Sequence, residues 1–300
     1  MIKGTSVEQI SKLSGRAGRS PWMFRYVVLL LLSTLSLIVL GASVTREVQP
    51  IPGLSARLDF LAEPTLIWLQ QAHLFIAWVV GGLMLGLTGW LQWRVRRAWP
   101  RLLVLAALLI VGLEGWLGMQ GVHSSLPPVA AFFHASLAPV LLSILVAIAA
   151  DVSAQKVRTQ PLKDPGRPSF RSLTVIVSLL ALLQVLLGAA YRHGLLGVLT
   201  HILNALVITL MVLVVSIPVI REFAGHASLR SAALGLAVVT ALQVSLGFGT
   251  FIVLLIGSGS STTLSILSVA HAATGALVLA AGVLLTIQVW QNLYSPNLRT

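Results

Sequence analysis

The chain has 300 residues, is 57% hydrophobic and only 9% charged, carries a net charge of +12 and contains no cysteine. A soluble domain holds about a quarter charged residues, so a soluble globular fold is excluded, and with it disulfides and thiolate metal sites. The basic excess is unevenly distributed along the chain, which points to membrane topology and not to nucleic acid.

Residues 1–23 are polar and basic, with no small-residue cleavage site after a short apolar core, and read as a cytoplasmic tail. Eight apolar blocks follow, at roughly 24–45, 66–92, 102–122, 129–150, 172–191, 195–220, 231–256 and 263–290. Each is near the ~20 residues that cross a bilayer as a helix. Backbone groups in lipid must pair internally, and the strict alternation of a membrane barrel is missing. The breaks between blocks include RVRRAWPR (94–101), SLPP (125–128), QKVRTQPLKDPGRPSFR (155–171) and GSGSS (257–261).

With eight spans, 17 of the 20 Lys and Arg fall on one side, and Arg46, Arg57 and Arg192 on the other. This asymmetry puts both termini in the cytoplasm. The expected fold is an all-α integral membrane protein of two pseudo-symmetric four-helix bundles, 24–150 and 172–290. A cytoplasmic linker (151–171) joins them, and a tail (291–300) ends the chain.

An internal repeat supports the two halves. The third, fifth and seventh blocks carry LEGWLG (113–118), LQVLLG (183–188) and LQVSLG (242–247). Each has Glu or Gln four residues before Gly: Glu114 and Gly118, Gln184 and Gly188, Gln243 and Gly247. The first block has Gly41 but Leu37 at the polar position. The even blocks carry one histidine each: His73, His134, His201 and His271. All four lie toward the outer end. Small residues follow at i+4 on the same face, namely Ala77, Ala138, Ala205 and Gly275.

A single intramembrane histidine can serve as a hydrogen-bonding strut. Four at equivalent positions read as a site. A compact zinc site gathers three or four ligands, whereas each half here offers two histidines on separate helices. Two axial imidazoles with space between them suit a haem inside a four-helix bundle. The spacing predicts one pair from His73 and His134 and another from His201 and His271. A cross-half pairing would require interleaved halves. The glycines of the odd helices would let a macrocycle approach their backbones.

Eight helices, one histidine per even helix and the Q-x-x-x-G pattern resemble the haem A synthase family (CtaA/Cox15) over residues 24–290. The resemblance implies that His73 and His134 flank the substrate haem and that His201 and His271 hold a haem b. It also implies oxidation of the ring methyl of haem O to the formyl of haem A, using oxygen and electrons, in a bacterial-type cytoplasmic membrane. Haem O synthase and a terminal oxidase are the implied partners, with an unidentified electron donor. The chain departs from the family at E-x-x-H-R, which here reads Gln70, Gln71, Ala72, His73, Leu74. The loop cysteines are also missing.

Glu114 is the one acidic residue well inside a block, so it is a candidate catalytic proton donor or, alternatively, a hydrogen-bonding strut. Arg46 and Arg192 are candidates for haem propionates. His123, His193 and His226 read as solvated, and Trp90, Trp93 and Trp99 as an interfacial belt. Two other readings stay open. One is a non-catalytic di-haem b cytochrome or assembly factor, favoured by Gln70. The other is a proton-coupled transporter, disfavoured by the scarcity of membrane carboxylates.

Overall fold

The computed structural model describes residues 21–48, 63–123, 126–153, 162–166, 168–256 and 261–294. Among them are eight long helices: α1 (Pro21–Val48), α2 (Glu63–Arg94), α3 (Ala98–His123), α4 (Pro128–Ser153), α5 (Phe170–Arg192), α6 (Val198–Glu222), α7 (Ala227–Ile256) and α8 (Ser261–Asn292). All eight are long and apolar enough to cross a membrane, and the protein is an all-α, multi-pass integral membrane protein. Residues 1–20 of the amino-terminal tail, Arg57 and residues 257–260 of the GSGSS break lie outside the described residues.

The helices run past the apolar blocks at several ends. Pro21 opens α1, where a missing N–H costs nothing, and α7 starts at Ala227 instead of near 231. A helix continues into the polar interfacial zone because its hydrogen bonds are internal whatever the side chains face. Between α5 and α6 the chain reverses within five residues. Gly194 adopts φ of 71° there, and Leu195 N–H donates to the Ala190 carbonyl at 2.8 Å. A residue with a Cβ is disfavoured in that left-handed conformation.

Helices α1 to α4 close a ring in which α1 packs on α2 and α4, and α3 on α2 and α4. Helices α5 to α8 close a second ring in the same way. Each has an apolar core, around Leu30, Met84, Leu87 and Leu145 in the first and Val212, Val215, Leu236 and Leu285 in the second. The rings meet through α1, α4, α5 and α8, where Leu142 packs on Ala276 and Ala280. Helices α4 and α8 are accordingly the most buried. Small residues at such contacts allow the close approach on which van der Waals packing in lipid depends.

The end of the polar linker is tied to the end of α8. Leu162–Lys163 (β1) pairs in parallel with Leu293–Tyr294 (β2), just after α8. Asp164 is buried and accepts from the Gly166 N–H at 3.0 Å and the Arg171 N–H at 3.4 Å. The Arg171 guanidinium donates to the carbonyls of Trp290 and Leu293. Trp90 also departs from the expected belt. It packs partly buried against the first core and meets the Tyr26 ring edge-on at 5.8 Å, while Trp93 and Trp99 are exposed.

Candidate functional site

The four histidines fall on helices that lie opposite each other within a ring: α2 and α4 in the first, α6 and α8 in the second. His201 is in the first turn of α6, His134 in the second of α4, and His73 and His271 about three turns into α2 and α8. The helix starts are staggered, and the imidazoles still meet across the bundle. His73 and His134 have ring centroids 6.4 Å apart at 80°, and His201 and His271 have centroids 6.0 Å apart at 79°. The within-half pairs are the ones the fold brings together.

The odd-helix glycines lie against the imidazoles. A Cβ on Gly41 would lie 3.0 Å from His73 Cε1, one on Gly188 3.0 Å from His201 Cε1, and one on Gly247 2.8 Å from His271 Cε1. At Gly118 the corresponding distance to His134 Cε1 is 3.6 Å. Each glycine therefore makes the seat for the imidazole of the next helix. Helical spacing reveals a shared face but not which neighbour fills it. Gly275, four residues after His271, likewise clears space for an amide, its absent Cβ falling 3.2 Å from Gln243 Nε2.

The residues four before those glycines are the partners of the histidines. His271 Nδ1 lies 3.2 Å from the Gln243 carbonyl oxygen. A carbonyl only accepts, so the proton is on Nδ1 and the lone pair on Nε2. The Gln243 amide reaches that Nε2 at 3.3 Å, and Thr274 holds the amide through its Oε1. In the sister site Gln184 Nε2 donates to the His201 carbonyl at 3.1 Å and lies 3.2 Å from His201 Nδ1. Asn204 Nδ2 fixes that amide, donating to Gln184 Oε1 at 2.8 Å. Asn204 and Thr274 each sit three residues after a histidine. Sequence reasoning missed both, although that shared offset was readable.

The first ring is built differently. Three residues after its histidines stand Ile76 and Leu137, which are apolar. His73 Nδ1 faces the backbone of Leu37 without reaching hydrogen-bond geometry. Glu114 Oε2 is in ion-pair contact with His134 Nδ1, and the Glu114 side chain is only 13% exposed. The Glu114 side chain lies near the Ala138 backbone, and its Oε1 makes no hydrogen bond of ordinary geometry.

A family model for the cytochrome oxidase assembly proteins COX15-CtaA matches residues 46–199, just over half the chain. The chain belongs to that family. A search of the curated proteins returns no match. Membership gives the protein a role in cytochrome oxidase assembly and in haem handling. The match contains Glu114 and the first histidine pair, and it ends as α6 begins.

The residues present fit a haem of this family. Metal to imidazole nitrogen is about 2 Å, and two such bonds end to end separate the ring centres by about 6 Å, the spacing of both pairs. The His271 tautomer carries its lone pair on Nε2, the nitrogen that accepts from the Gln243 amide here and that a metal would take in its place. Among the described residues no cluster of three or more His, Cys, Asp or Glu is placed to hold a metal ion by itself.

The remaining candidates are scattered. Arg192 Nη2 donates to the Ala42 carbonyl at 2.6 Å, linking the two rings one residue from the His73 seat. Arg46 lies in the last turn of α1, its side chain outside the described residues, as is that of His123. His193 is buried, not solvated. The tight turn at Gly194 folds it inward, and burial, then Arg192 and His134, pull its pKa down to about 4. His226 caps the turn into α7, its Nδ1 3.2 Å from Ser228 Oγ.

Proposed function

We propose that the chain is a haem A synthase-type oxidoreductase, oxidising the ring methyl of haem O to the formyl of haem A. The observation that carries the reading is the two facing imidazole pairs, one per ring, at centroid separations of 6.4 and 6.0 Å. His201 and His271 would hold a resident haem b, because both are seated against amides that Asn204 and Thr274 fix in turn. The Gln243 carbonyl, accepting at His271 Nδ1, is the outer partner that orients that ligand and raises its basicity, while the two amides fix the ring positions.

His73 and His134 would take the substrate haem. Their ring retains buried polar atoms without hydrogen bonds, at His73 Nδ1 and Glu114 Oε1, as suits a site completed by its substrate. When bound, the haem supplies the electron and oxygen chemistry. The chain orients the imidazoles, through Gln184, Gln243 and Glu114 at three of the four. Arg192 and Arg46 are the candidates for propionates. Haem O synthase would supply the substrate and a terminal oxidase would receive the product, in a bacterial-type cytoplasmic membrane, with electrons from a separate donor.

A second reading, a non-catalytic di-haem b cytochrome, is favoured by Gln70. It is an exposed amide one turn before His73, where the resembling family carries a carboxylate. Expression with a source of haem O, purification and haem extraction for mass analysis distinguish the two. Haem A formation supports the enzyme. Haem b without an oxidised product supports the carrier, and no haem at all removes both.

A further inference from the structure

The four histidine seats form an internal comparison set. Three of the positions four residues before the seat glycine are neutral: Leu37, Gln184 and Gln243. The fourth is Glu114, in contact with His134 Nδ1. Among the described residues it is the one carboxylate placed against any of the four imidazoles. The other titratable groups near His134 are His73 across the pair and His193 at the end of α5.

We propose that Glu114 is a positioning residue that makes His134 a stronger electron donor than its three counterparts, so that iron bound at the first pair has a lower reduction potential than iron at the second. This rests on the haem reading of both pairs. A carboxylate facing Nδ1 draws the ring proton toward itself and enriches Nε2, whereas the Gln243 carbonyl does so weakly and the Gln184 amide, which presents its N–H to His201, does not. Stronger axial donation stabilises the oxidised metal. One repeated scaffold then carries two irons of different character, and a single side chain sets the difference. Glu114 acts through His134 and need not exchange a proton with substrate.

The test is a redox titration of purified protein loaded with haem b, following each site by its spectrum, with His271→Ala used to assign the first pair. Glu114→Gln copies the sister sites with little change in volume. It should raise the potential of the first-pair haem by at least a tenfold change in the oxidised-to-reduced ratio, 59 mV for one electron, and leave the second pair unmoved. The reverse exchange, Gln243→Glu, should lower the second-pair potential, and Glu114→Asp should restore part of the wild-type value. Loaded sites whose potentials ignore both exchanges would overturn the proposal and leave the haem reading intact. A wild-type protein that holds no haem at His73 and His134 would overturn both.

Discussion

The glycine seats yield the sharpest quantitative expectation. Replacing each of Gly41, Gly118, Gly188 and Gly247 by alanine adds one methyl group against one imidazole. Carbon atoms in comfortable contact lie about 3.5–4.0 Å apart. At Gly247 the new Cβ would stand 2.8 Å from His271 Cε1 and 3.2 Å from Nδ1, a shortfall near 1 Å. The ring has little room to retreat, because Nδ1 is tied to the Gln243 carbonyl. Overpacking of this kind costs about 1–3 kcal/mol. Were the strain relieved by displacing the imidazole, haem affinity at the second pair would fall about 5- to 150-fold. Gly188→Ala and Gly41→Ala, at 3.0 Å, should follow closely, while Gly118→Ala, at 3.6 Å, is ordinary contact and should stay within about twofold. Helix propensity alone favours alanine by about 0.5–1 kcal/mol at every position. The contact argument and the propensity argument therefore predict opposite signs. The assay is haem b titration into purified protein, with thermal unfolding as the companion readout. Equal losses at Gly118 and Gly247, or no loss at either, would refute the reasoning.

Other expectations are simpler to check. Asn204→Leu or Thr274→Val should weaken haem binding at the second pair about 10- to 100-fold, the usual cost of losing an outer partner, while Ile76→Val and Leu137→Ile in the first ring leave the second pair unchanged; haem stoichiometry reads both. Asp164→Ala should free β1 from the end of α8, leaving the Arg171 N–H without its acceptor at a cost of about 1–3 kcal/mol, detectable as faster proteolysis of the linker. His193, held neutral with its pKa lowered to about 4, takes up a proton on unfolding between about pH 4 and 6.5. Stability should therefore fall as pH drops from about 6.5 toward 4. His193→Gln should flatten that part of the profile, and an unchanged slope in the variant would remove His193 as its cause.

The eight spans and the histidines were legible for one reason: both are written in a period. Runs near 20 apolar residues mark helices whatever they pack against, and a titratable group repeated at equal depth stands out against hydrocarbon. What was not legible depends on which helix faces which. The seat glycines were recognised, but not the imidazoles against them, which lie on another helix. Asn204 and Thr274 look like ordinary polar residues until Gln184 and Gln243 are seen reaching across to them. His193 looked solvated because it follows a charged residue at a helix end, and the turn at Gly194 buries it. Glu114 was visible as an anomaly, yet its meaning required His134 beside it.

Three of these misses share a direction. Those at Asn204, Thr274 and Glu114 concern polar contacts between helices, and in lipid such contacts carry the specificity that hydrophobic burial cannot supply. The two rings share their helices, seat glycines and histidine pairs. They differ in the polar atoms around them, with fixed amides in one and a lone carboxylate with unpaired neighbours in the other. Duplication explains the shared parts. The differences are where a division of labour between a held haem and a changed one has to reside, so exchanges of Glu114, Gln243, Asn204 and Thr274 between the rings should convert the properties of one site toward the other, read as haem retention and potential. If retention and potential followed the ring instead of the exchanged side chains, the distinction would lie in helix packing, and the polar account of the asymmetry would be wrong.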